Sequence, residues 1–208
     1  MDNQERQGPF RTSASLVLAS ASPRRKELMA RLGLRFEVEA SSAEELGPDS
    51  GLLPEDLVRQ NGCLKANEVA ALVPESLVIG ADTCVALNGK IFGKPRDASD
   101  ALEMLTSLAG KWHEVFTGFC ISWPSRNVRI VKAVRSKVYI AGCNSQVLKS
   151  YCSTTEPLDK AGAYAVQGAG SFMVKEIVGS WTNVVGLPMT ELIDVLLELE
   201  AIEPCARS

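Results

Sequence analysis

A chain of 208 residues is long enough for one large α/β domain or two small ones around a buried core. With 46% hydrophobic residues, 23% charged residues and a net charge of −3, its composition is globular, and the acidic balance argues against general nucleic-acid binding, so any anion site must be local. It has no apolar run of the ~18 residues a simple transmembrane helix needs.

Met1–Ser15 is polar, without an apolar signal core, and reads as a flexible leader; residues 16–200 read as one α/β domain and 201–208 as a C-terminal tail. The apolar run Leu16–Ala19 predicts a buried strand. Ser22 then stands at an N-cap and Pro23 at the first position of a helix that ends near Gly33. Alternation over Arg35–Ala40 predicts a half-buried strand, and Ser41–Gly51 a polar loop carrying Glu44 and Glu45. A helix follows over Pro54–Leu72, with Leu57, Leu64 and Val69 on its apolar side and Gly62 as a weak point. Leu77–Leu87 predicts a strand that turns at Asn88-Gly89 into Lys90–Phe92. Asp97 can cap a helix over Ala98–Leu108, which Gly110 ends. Two long strands are expected over Glu114–Trp123 and Val128–Ile140, then a short helix over Ser145–Tyr151 and a glycine-rich stretch over Asp159–Gly170. Further strands are expected over Ser171–Val178 and Thr182–Val185, and a last helix over Met189–Leu199. A βαβ-like beginning with a hairpin-like middle predicts a mixed sheet.

Six cysteines show neither a Cys-x-x-Cys pair nor zinc spacing, and read as reduced residues of an intracellular protein. His113 is the only histidine. Multi-histidine metal sites are thereby excluded, and any metal is expected to be a hard cation on oxygen ligands, such as magnesium or manganese. A catalytic triad built on His113 lacks a Gly-x-Ser-x-Gly elbow, so a structural role is the better reading.

Three segments carry candidate chemistry. Arg24 and Arg25 fall in the first turn of a helix, the wrong end for cations unless an anion completes the site. With Ser20, Ser22 and backbone N–H groups they would make a phosphate cradle; the plainer alternative is a solvated pair. Asp82 stands where a buried strand meets the core edge, and it requires a metal, a lysine, a polarised water or structural hydrogen bonds. Pro95 holds Lys94 extended, and the hairpin returns it towards the level of Asp82; Lys65 and Glu45 carry weaker signals. In the third segment Gln167 can read a base edge or tie down its loop, beside Asp159, Lys160 and Tyr164. These residues reach an anion site without choosing hydrolysis over binding.

Taken together, Ser20-Ala-Ser-Pro-Arg-Arg25, Gly80-Ala-Asp-Thr83, Gly93-Lys-Pro-Arg-Asp97, Glu156-Pro-Leu-Asp-Lys-Ala-Gly-Ala-Tyr164, Val166-Gln-Gly168 and Val185-Gly-Leu-Pro188 closely resemble the Maf family of nucleoside triphosphate pyrophosphatases, over nearly all of residues 16–199. The resemblance implies an elongated mixed sheet flanked by helices, with two lobes and a central cleft, similar to inosine triphosphate pyrophosphatases. It implies hydrolysis of a nucleoside triphosphate to monophosphate and pyrophosphate with a divalent cation, in the cytoplasm, without nucleic-acid or membrane partners; a homodimer would be unsurprising. Asp82 matches the family's proton acceptor, and Ser20, Arg24, Arg25, Glu45, Lys65 and Lys94 match other cleft residues. Glu45 and Asp82 are the expected metal ligands. Arg24, Thr83 and Gln167 match the dTTP- and UTP-cleaving branch; the 7-methyl-GTP branch tends to carry Trp, Gln and Glu there. Val166 and Ala165 depart from the usual isoleucine and glycine. The alternatives are a modified-nucleotide pyrophosphatase and a non-catalytic nucleotide-binding regulator of septum formation.

Overall fold

The structure is a computed structural model and describes residues 8–205. Along the chain run β1 (Phe10–Thr12), β2 (Leu16–Ala19), α1 (Pro23–Arg31), β3 (Glu37–Val38), α2 (Pro54–Leu72), β4 (Leu77–Leu87), β5 (Lys90–Phe92), α3 (Ala98–Leu108), β6 (Trp112–Trp123), β7 (Val128–Ile140), α4 (Ser145–Cys152), β8 (Val174–Val178), α5 (Trp181–Val185), α6 (Met189–Glu198) and β9 (Ile202–Pro204). One mixed sheet has the order β3-β2-β4-β6-β7-β8, with β5 as a second partner of β4. β2 is parallel to β3 and β4, and the other pairs in this sheet are antiparallel.

The sheet is long because β6 and β7, with 12 and 13 residues, each reach about 40 Å. That length lets it carry two cores on one face. Leu18, Ile79, Ala81, Phe119 and Ile121 pack under α1 and α6 at one end. Val85, Val115 and Val138 pack under α3 and α4 at the other. Successive side chains point to opposite faces, so Val78, Cys84 and Phe116 turn the other way, towards α2. The expected elongated mixed sheet flanked by helices is observed, and the gap between the two cores is its cleft.

Glycines let α2 lie close to the sheet. A Cβ on Gly80 would stand 2.4 Å from the Gly62 carbonyl oxygen, and one on Gly118 would stand 2.5 Å from the Val58 carbonyl. Gly62 is therefore the contact point of the helix with β4 and not its weak point. The turn between β4 and β5 has positive φ at Asn88 (50°) and Gly89 (82°), the twist a two-residue hairpin needs.

Several boundaries differ from expectation. Residues 10–12 of the expected leader pair antiparallel with residues 202–204 of the expected tail, and Arg11 bonds Glu203 at 2.7 Å. Residues 1–7 and 206–208 lie outside the described residues. The strand expected over Arg35–Ala40 shrinks to Glu37–Val38, both exposed, because it sits at the sheet edge. Leu64 is exposed, having rotated off the buried stripe of α2. The strand expected from Ser171 begins at Val174, after a 3-10 turn. Thr182–Val185 is helical. There the Ser180 hydroxyl accepts from the Asn183 N–H and caps α5. Tertiary bonds of the buried Asn183 side chain to Val115 O (3.1 Å) and Ser136 Oγ (2.9 Å) then outweigh the β preference of the Val-Val pair.

His113 is buried in the second core, with Nε2 2.7 Å from the Tyr164 hydroxyl. Burial pushes its imidazole down to about 4, so it is neutral at physiological pH.

Candidate active site

The cleft follows from a gap in strand pairing. On one edge of β4, β2 pairs as far as Gly80 and β5 begins at Val85, so Ala81–Cys84 is paired only with β6. Asp82 and Thr83 lie in this gap and alternate to opposite faces. The chain leaving β2 brings Ser20 and α1 to one side of the opening, and the chain leaving β5 brings Gly93 and exposed Lys94 to the other. The resulting cavity, about 520 Å³, is of the size that holds a small molecule and is lined by residues of both core regions.

On the α2 face, each oxygen of Asp82 has a fixed donor. Asn61 Nδ2 lies 2.9 Å from Oδ2, and Lys65 Nζ lies 3.0 Å from Oδ1. Lys65 Nζ also contacts Glu45 Oε1 (3.1 Å) and the Ala81 carbonyl (3.3 Å) left free by the gap. Asn61 and Lys65 are four apart, so one helical face presents both. The Asn61 amide also exchanges two bonds with the Leu46 backbone, at 2.8 and 3.0 Å, which ties the Glu45 loop to α2. Glu68 holds the start of that loop through the hydroxyls of Ser41 and Ser42 and the Ala43 N–H. Neither Asn61 nor Glu68 emerged from the sequence. The signal in the sequence is the polar pair Asn61 and Lys65, four apart on the stripe that carries Leu57 and Val69; in the structure both are buried.

On the opposite face Arg25 is buried and committed to the protein. Its guanidinium donates to Gly186 O (2.7 Å), Ser20 Oγ (3.1 Å) and Thr83 Oγ1 (3.1 Å). Burial lowers its pKa against the pull of Asp82, yet a guanidinium remains charged. Thr117 donates its one hydroxyl hydrogen to Asn183 O, so the 2.9 Å contact between Thr83 and Thr117 requires Thr83 to donate. The Thr83 hydrogen is thereby used within the protein. Arg25→Lys keeps the charge and loses the fork; we expect about 2 kcal/mol less stability in urea unfolding, and an unchanged midpoint would contradict this role.

Ser22 occupies the N-cap of α1 with extended backbone but without a side-chain capping bond, and its own N–H goes to Ser20 Oγ at 3.2 Å. The first N–H groups of α1 therefore have no side-chain cap, and the positive end of the helix lines the cavity with Arg24. Gln167 is half-buried in the cavity wall. Its loop is held by the Glu156 carboxylate, which accepts from Ala169 N (3.0 Å), Gly170 N (2.8 Å) and the Tyr151 hydroxyl (2.9 Å). Ser20, Arg24, Arg25, Glu45, Lys65, Asp82, Thr83, Lys94 and Gln167 thus all line one cavity. Among the described residues no three His, Cys, Asp or Glu side chains form a metal-binding group. The carboxylates of Glu45 and Asp82, the expected pair of metal ligands, both face the Lys65 ammonium.

The sequence profile described as Maf-like protein matches residues 15–199. The chain belongs to the Maf family. Among Maf relatives, the dTTP/UTP pyrophosphatase of Geotalea uraniireducens is 45% identical over 194 residues, spanning 93% of this chain and 100% of the relative. The dTTP/UTP pyrophosphatase of Nitratidesulfovibrio vulgaris is also 45% identical, over 94% of this chain and 92% of its own. Among solved structures, the Ham1 protein of Staphylococcus aureus aligns with a TM-score of 0.48 at 16% identity, over 89% of this chain and 99% of that one. No helix among the described residues is long and apolar enough to cross a membrane.

Proposed function

We propose that this Maf protein hydrolyses dTTP and UTP to the nucleoside monophosphate and pyrophosphate, acting in the cytoplasm. The observation that carries the reading is the setting of Asp82: a carboxylate oriented at both oxygens opens into the same cavity as Arg24, Lys94 and an uncapped helix N-terminus. Its relatives' activity supports the choice of substrate.

In this reading the triphosphate lies over the start of α1, where backbone N–H groups and Arg24 meet it, and Lys94 approaches from the opposite wall. Each Asp82 oxygen spends one lone pair on Asn61 or Lys65 and keeps another for a water. Asp82 orients that water and accepts its proton as the oxygen attacks the α-phosphorus, and pyrophosphate departs. Positioning and charge stabilisation supply most of the acceleration. Glu45 and Asp82 would hold a magnesium or manganese ion through carboxylate lone pairs that Lys65 does not use, and the ion would supply further charge neutralisation at the phosphates.

Because the Thr83 hydroxyl hydrogen is already donated, we assign it to fixing Arg25 and give base recognition to Gln167, whose amide offers a donor and an acceptor. Gln167→Glu is expected to lower kcat/KM for dTTP and UTP at least tenfold, on the order of what a lost base contact costs, with a smaller change for ATP and 7-methyl-GTP. Kinetics on that panel, with pyrophosphate detection, test both the activity and its selectivity. Equal losses on every nucleotide would remove Gln167 from base recognition; no pyrophosphate from dTTP or UTP with the unaltered protein would remove the activity.

A further inference from the structure

Opposite Arg24 the cavity wall carries an acid and a base that the proposed chemistry does not yet use. Asp159 ends a 3-10 turn (Glu156–Asp159) on the side of the second core, Lys160 follows it, and both line the cavity. Asp159 Oδ2 lies 3.3 Å from Arg24 Nη1, a contact between residues 135 positions apart, and Oδ1 accepts from Lys160 Nζ. One carboxylate thus joins two cations that belong to opposite walls. Lys160 Nζ has one other partner, the Glu156 carbonyl at 3.3 Å, so one of its three donors is free. The Lys160 side chain is 13% exposed and that of Asp159 is 60% exposed. The ammonium is held in the wall, whereas the carboxylate stands in the opening and can swing away at little cost.

We propose that Lys160 is a further ligand of the substrate's phosphates, and that Asp159 is the internal anion that a phosphate replaces between Lys160 and Arg24. The inference rests on the reading of the cavity as a triphosphate site. A phosphate oxygen matches a carboxylate oxygen in charge and acceptor geometry, so the pair of cations that holds Asp159 is already spaced for it. Partial burial by itself raises the Asp159 carboxyl, and Lys160 with Arg24 overcomes this and holds it below its ordinary value. Displacement of Asp159 leaves a negative charge close to the bound phosphates. The same residue therefore weakens retention of pyrophosphate and favours its release.

Calorimetric binding of inorganic tripolyphosphate, in buffer with chelator and no added metal, tests this without requiring turnover. Asp159→Asn is expected to bind about three- to fivefold tighter than the unaltered chain, the upper part of the range for one partly exposed ion pair. Lys160→Met is expected to bind about tenfold weaker. Asp49→Asn, which removes an equal charge from an exposed turn of the Glu45 loop, is expected to change binding less than twofold. Tightening by Asp159→Asn no greater than that of Asp49→Asn would overturn the proposal, as would unchanged binding by Lys160→Met. Asp159 is exposed, so its variant decides the matter even if Lys160→Met fails to fold. A failure of the enzyme assignment is distinguished by the unaltered protein, which would then release no pyrophosphate from dTTP.

Discussion

Asp82→Asn lowers kcat for dTTP by about 10²–10⁴-fold, the usual share of a positioned general base, while KM and the melting temperature change little. Asparagine has the shape of aspartate: its oxygen still accepts from Lys65, which keeps Glu45 at 3.1 Å, while its NH2 meets the Asn61 NH2 and forfeits one hydrogen bond, about 1 kcal/mol. What is lost is the second acceptor oxygen and the ability to take a proton. The two measurements separate chemistry from packing: a fall in kcat together with collapse of the fold would point to a structural aspartate. A variant with near-normal turnover would take Asp82 out of the reaction.

Gly118→Ala is expected to remove about 3 kcal/mol of stability, roughly a 10 °C fall in melting temperature, and to reduce turnover by at least tenfold. The added methyl would stand 2.5 Å from the carbonyl carbon and oxygen of Val58 and 2.7 Å from Arg59 N, all backbone atoms of α2 that cannot rotate aside. Relief requires lifting the helix from the sheet. Because Asn61 and Lys65 ride on that helix, the shift also moves the donors that orient Asp82. Gly142→Ala, where a Cβ meets nothing within 4 Å, provides the matched control and should leave both quantities unchanged. Equal behaviour of the two variants would show that the close approach of α2 does not govern the site.

The parts of the fold that are legible in the sequence are those whose pattern is local. Leu77–Leu87 is an apolar strand broken only by Asp82 and Thr83 and closed by an Asn-Gly turn, and Val128–Ile140 and Ala98–Leu108 match their expected limits. Asp97 caps as its position predicts, accepting from Asp100 N at 2.8 Å. Thr182–Val185 misleads because its β-branched residues speak for a strand, while Ser180 and the tertiary bonds of Asn183 decide for a helix. The expected leader and tail are illegible as a pair, since residues 10–12 and 202–204 pair across opposite ends of the sequence and neither segment carries a local sign of the other.

The site shows the same division. Ser20 and Arg24 announce themselves where β2 ends and α1 begins, whereas Asp82, expected at the edge of the core, stands in the middle of β4, where one edge of the strand is unpaired. Asn61 and Glu68 do not announce themselves, because their importance arises only when residues 41–46 fold back over α2. Arg25 resembles its neighbour Arg24 in sequence, yet one helical step turns it inward to Gly186 and Thr83. The gap in pairing at Ala81–Cys84, which opens the cleft, depends on where β2 stops and β5 starts, and no single segment encodes it.

At the heart of the proposed mechanism, a water held at Asp82 attacks the α-phosphorus of a triphosphate bound in this cleft. Hydrolysis of dTTP in ¹⁸O-labelled water, with mass analysis of both products, is the decisive test. Thymidine monophosphate and pyrophosphate are the expected pair, with the label in the monophosphate, at a rate greatly reduced in Asp82→Asn. Label in the pyrophosphate, or a diphosphate and orthophosphate pair, would contradict the mechanism.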